Sequence, residues 1–93
     1  MLLSFNSRIE VPVDVLVSEL DGESVLMNLK TDAHVGLDEV GTAIWSVVTR
    51  SDSIEDAYRT LTLEWNTDET VLRSNLTSLL QQLVTAGLIR IDP

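Results

Sequence analysis

His34-Val35-Gly36-Leu37-Asp38-Glu39-Val40-Gly41-Thr42-Ala43-Ile44-Trp45 is the stretch on which the fold turns. Val35 and Leu37 alternate with His34 and Gly36, the two-residue period of an extended segment. Asp38 then stands where a helix cap belongs, and Val40, Ile44, Trp45 and Val48 follow at helical spacing. A short strand therefore runs straight into a capped helix. Before this junction the chain has the marks of β-hairpin, and after it the marks of helix.

Working back from the junction, Thr31-Asp32 makes a turn, and Ala33–Leu37 is the third strand of a meander. The strand before it is assigned Val25, Met27 and Leu29 on its apolar face, with Ser24, Asn28 and Lys30 mainly on the other. Asp21-Gly22 suits the positive φ values of a tight hairpin turn. The first strand starts from Val13, where Val13, Val15 and Val17 alternate with Asp14, Leu16 and Ser18. Residues 1–12 are a lead-in, with Pro12 limiting regular structure. Three short strands with one apolar face need a helical layer to cover them.

Working forward, the first helix spans Glu39 to Arg50. Gly41 in its first turn costs up to about 1 kcal/mol against alanine, a cost that close packing of helix on sheet explains. Ser53 caps a second helix, with Asp56 in the capping box and Ile54, Ala57, Tyr58, Leu61 and Trp65 as its buried stripe. Asn66 caps the third, with Glu69 completing the box. Val71, Leu72, Leu76, Leu79, Leu80, Leu83 and Val84 cover an arc wider than one core contact needs, which suits either a docking groove or a helix pinned between layers. Gly87 ends that helix, and Leu88–Ile91 finishes extended. The expected class is α+β, a three-stranded antiparallel meander followed by three helices in a winged-helix-like order.

The 93 residues fit one domain, 1–93, and a 44% hydrophobic content fits a folded chain. Fifteen acidic residues against six basic ones give a formal charge of −9, which repels nucleic acid and anionic membrane. Without cysteine there is no disulfide framework and no thiolate chemistry. No apolar run approaches the roughly 20 residues that span a bilayer, and Met1–Phe5 is too short for a signal peptide. The expected location is cytoplasmic.

Catalysis finds little support. His34 is the only histidine, and a lone histidine on a short strand is ordinarily a surface or packing residue. No nucleophile turn is present, and the four glycines are scattered, so there is no phosphate loop. The acid pairs Asp38-Glu39, Glu55-Asp56 and Asp68-Glu69 sit at helix starts, where the dipole favours them. No cofactor or metal is expected. DNA binding requires basic or amide side chains at an exposed helix start. The third helix offers Arg73 and Asn75 among Asp68 and Glu69, which suits protein contact better.

Val35-Gly36-Leu37-Asp38-Glu39-Val40-Gly41-Thr42-Ala43-Ile44-Trp45 behind a β-meander resembles the PqqD-like family of peptide-recognition domains. Leu79-Leu80-Gln81-Gln82-Leu83-Val84-Thr85-Ala86-Gly87-Leu88-Ile89 is similar to that family's closing helix and its Gly-Leu-Ile ending. The likeness covers roughly residues 13–91. It implies a non-catalytic domain that binds the leader segment of a ribosomally made precursor peptide. The leader adds as a strand beside the third strand, against the third helix. The peptide-binding residues so implied are Ala33, His34, Val35, Gly36 and Leu37 on the strand, with Leu72, Arg73, Leu76 and Leu80 on the helix. The partners implied are the precursor leader and the enzymes that receive it, a leader peptidase and a cyclase or other modifying enzyme of a lasso-peptide pathway. The alternatives are a chaperone for a radical enzyme in pyrroloquinoline quinone synthesis and a winged-helix transcription regulator.

Overall fold

The computed structural model describes residues 5–65 and 68–92. Its elements are β1 (Arg8–Glu10), β2 (Val15–Leu20), β3 (Glu23–Asn28), β4 (His34–Leu37), α1 (Glu39–Arg50), α2 (Ile54–Glu64), α3 (Glu69–Thr85) and β5 (Arg90–Asp92). Strands β2, β3 and β4 form an antiparallel sheet in that order, followed by the three helices, as expected for the α+β class. Asp21 and Gly22 take φ of 55° and 83°, so the hairpin turn forms where the Asp-Gly pair placed it.

The sheet departs from expectation in which face it buries. Leu26 is fully buried between Ser24 and Asn28, while Val25 and Leu29 are exposed. The polar pair could go inward because each finds partners there. Ser24 Oγ lies 2.8 Å from Thr42 Oγ1 on α1. Asn28 Nδ2 donates to the Gly87 carbonyl at 2.8 Å, and its Oδ1 accepts from the Lys30 N–H at 2.9 Å. Buried polar groups satisfied in this way cost little, and the pattern of polarity then misreports the face. The first strand also begins later than expected: Val13 is 96% exposed, and Val15 N–H closes a turn onto the Pro12 carbonyl.

The lead-in contains a strand. Arg8, Ile9 and Glu10 pair with Asp92, Ile91 and Arg90 of β5, forming a separate two-stranded sheet. Arg90 Nη2 reaches Glu10 Oε1 at 2.9 Å across this clasp. Phe5 and Ser7 carbonyls accept from Glu55 and Ile54 N–H at the start of α2, which fixes the preceding segment.

Each helix starts on a side-chain cap. Asp38 Oδ1 accepts from Gly41 N–H at 2.7 Å and Ser53 Oγ from Asp56 N–H at 3.1 Å. Asn66 lies outside the described residues; the cap of α3 is Asp68, whose Oδ1 accepts from Thr70 and Val71 N–H. A Cβ at Gly41 would stand 3.3 Å from Leu37 Cβ, so the glycine permits the tight strand-to-helix corner. At the far end of α3, Gly87 adopts φ 75°, with Gly87 N–H on Val84 O and Leu88 N–H on Leu83 O. This pair of bonds is the Schellman stop, and Leu88 is fully buried beside it. One core cluster joins Leu26 and Leu37 of the sheet to Ile44, Val48, Ile54, Leu61 and Leu76 of the helices.

Candidate functional site

β4 pairs with β3 alone, and among the described residues no strand covers its other edge. The ladder bonds at the ends of β3 decide which groups of β4 face outward. Leu29 N–H donates to the Asp14 carbonyl and Asn28 N–H to the Ala33 carbonyl, both at 2.8 Å. These directions alternate residue by residue along an antiparallel strand. Even-numbered residues of β3 therefore bond to β4. Leu26 faces Val35 and Ser24 faces Leu37, so Val35 and Leu37 turn their main-chain groups inward. His34 and Gly36 direct theirs to the open edge.

The side chains of this strand divide just as cleanly. Leu37 is buried and Val35 is half-buried against the core, whereas His34 and Gly36 are exposed. His34 Nδ1 stands 3.5 Å from the Asp32 carbonyl at the turn. Ala33 is half-buried, with its N–H on Thr31 Oγ1 at 3.3 Å.

Beyond the C-terminal end of β4, Val40, Trp65, Leu72 and Asn75 line an apolar hollow of about 240 Å³. It brings together the first turn of α1, the residue closing α2 and one side of α3. Of the helix residues expected at the site, Leu72 lies on this hollow. Leu76 and Leu80 are buried in the core, at 0% and 1% exposure. Arg73 points elsewhere: its guanidinium carbon lies 4.1 Å from the Phe5 ring centroid and 5.7 Å from that of Tyr58. Such stacking ties α3 to the N-terminal segment and to α2.

Val40, Trp65 and Asn75 were missed as site residues. Trp65 is expected in the buried stripe of the second helix and Val40 at the helical spacing of the first, yet Val40 is 53% exposed and Trp65 half-buried. A usable signal was their placement at helix ends, where an apolar residue can lie beyond the reach of the core.

The family profile for coenzyme PQQ synthesis protein D (PqqD) matches residues 23–89. The chain belongs to the PqqD family. No curated protein sequence matches this PqqD-family chain. A solved structure of TbiB1 in complex with the TbiA(beta) leader peptide superposes with a TM-score of 0.78 at 27% identity, covering 87% of this chain and 94% of that one. Among the described residues of this PqqD-family chain, no helix is long and apolar enough to cross a membrane. Nor does any group of three or more His, Cys, Asp or Glu side chains gather there as a metal site.

Proposed function

We propose that this domain recognises the leader of a ribosomally made precursor peptide and holds it for the enzymes that mature it, without itself catalysing a reaction. The observation that carries this reading is the free edge of β4, with the outward groups of His34 and Gly36, together with the apolar hollow beyond its end. Main-chain bonds to the edge supply affinity, and the hollow takes one apolar side chain of the leader to supply specificity. The likeness to a TbiB1 structure holding a leader peptide supports the same reading. The recipients are a leader peptidase and then a cyclase of a lasso-peptide pathway.

A synthetic leader from a precursor encoded beside this chain should bind with a Kd of about 1 μM or tighter. Calorimetry measures this directly. Trp65 at the hollow gives a fluorescence signal, and Trp65→Ala should weaken binding. A parent protein that binds no such leader refutes the proposal.

DNA binding is expected to be absent at physiological salt. The start of α3 presents Asp68 and Glu69 to solvent, in a chain of formal charge −9. A salt-sensitive gel shift with a promoter fragment would contradict this and revive the regulator reading.

A further inference from the structure

Among the described residues, nothing requires Gly36 to be glycine. Of the four glycines only Gly22 and Gly87 take positive φ, so Gly36 has a backbone that any residue adopts. A Cβ built on it would meet no atom within 4 Å, whereas one at Gly41 would crowd Leu37. Glycine is among the weakest strand formers and valine among the strongest. The residue therefore costs β4 some stability that a side chain would restore. A glycine inside a strand often marks a place where a ligand or another backbone comes close.

The register shows what could come close. Gly36 stands beside Val25 of β3, and Val25 beside Ser18 of β2, in one row on the sheet face turned from the helices. Between a serine and a glycine, Val25 stays 44% exposed. An open hollow of about 560 Å³ lies over this row, bordered also by Leu20, Glu23 and Asp38. The row ends in free space at Gly36, because β4 is the edge. Gly36 also turns its main-chain groups to that edge, so an added strand sets one residue directly opposite it. Paired residues project their side chains on the same face. With no Cβ in the way, that side chain can lean across the glycine, as large apolar neighbours do over glycines at sheet edges.

We infer that Gly36 determines specificity: the leader residue paired with it carries a large apolar side chain, which folds over the glycine onto Val25. This rests on the leader reading. It gives the leader a second subsite, on the opposite face from the hollow lined by Val40 and Trp65. The carboxylates of Glu23 and Asp38 at the border turn away an acidic side chain at the same leader position.

The test uses a synthetic leader from the precursor encoded beside this chain, with each residue replaced by alanine in turn. One large apolar position should lose about tenfold in affinity when truncated, as a buried anchor does. Glutamate at that position should bind more weakly still. On the protein side, Gly36→Ala, Gly36→Val and Gly36→Leu should melt at or above the parent temperature, since the site is open. Leader affinity should fall in that order, by about tenfold at valine. In Gly36→Val the truncated leader should bind within about twofold of the full one, because both changes remove the same contact.

Main-chain pairing alone predicts the reverse trend, since valine favours the strand and leaves its N–H and C=O in place. A folded Gly36→Val that binds leader as tightly as the parent overturns the inference and leaves the leader reading intact. So does an alanine scan whose losses are the same in parent and variant, or a glutamate leader that binds as well as the unaltered one. A parent that binds no leader brings down both.

Discussion

Proline at Val35 is expected to cripple the sheet, while proline at His34 or Gly36 leaves it folded and impairs peptide binding. Proline removes one N–H. At Val35 that N–H points to the Leu26 carbonyl, inside the sheet and over the core. Its loss leaves a buried acceptor unpaired, at a cost of about 1–3 kcal/mol. For a domain of this size each kcal/mol lowers the melting temperature by roughly 4–8 °C. At His34 and Gly36 the N–H groups point to the open edge, so the internal ladder survives. Each substitution removes one bond available to an added strand, and leader affinity should fall by about threefold to tenfold. Thermal melts and calorimetry on the three variants separate the two effects. Three variants that bind leader like the parent would end the strand-addition mechanism and leave recognition to the hollow.

The other large effect concerns the face of β3. Leu26→Ala should cost about 3–5 kcal/mol, as deletion of a fully buried leucine does, and Val25→Ala less than about 1 kcal/mol. The two positions are adjacent in sequence, so propensity and unfolded-state effects nearly cancel between them. Denaturant unfolding measures both. A larger loss at Val25 than at Leu26 would mean that the sheet turns its faces the other way.

Features held by local bonds were legible from residues alone. The cap at Asp38, the turn at Asp21-Gly22 and the stop at Gly87 each involve partners within five residues, and all three stand where they were expected. The face of β3 was not legible, because the partners that reconcile Ser24 and Asn28 to burial lie 18 and 59 positions away. Nor was the clasp of β1 on β5, whose three-residue strands are too short to show a period. At the candidate site, β4 could be named as an edge from its place at the end of the meander. Its outward residues could not, since their identity depends on the phase of hydrogen bonds in the neighbouring hairpin. The hollow was obscured by Val40 and Trp65, which share helical spacing with true core positions.

The clasp has a practical consequence for the topology of the polypeptide. With Arg8 opposite Asp92 in an antiparallel pair, the chain enters and leaves the domain at one point. Adjacent termini are what circular permutation and domain insertion need. A few residues joining the two ends, with a new start cut at the exposed Asp21-Gly22 turn, would give a reordered chain able to rebuild the same sheet and helices. By the same geometry the whole unit could be spliced into a surface loop of a host protein, a portable cassette that adds a peptide-binding edge without stretching the host.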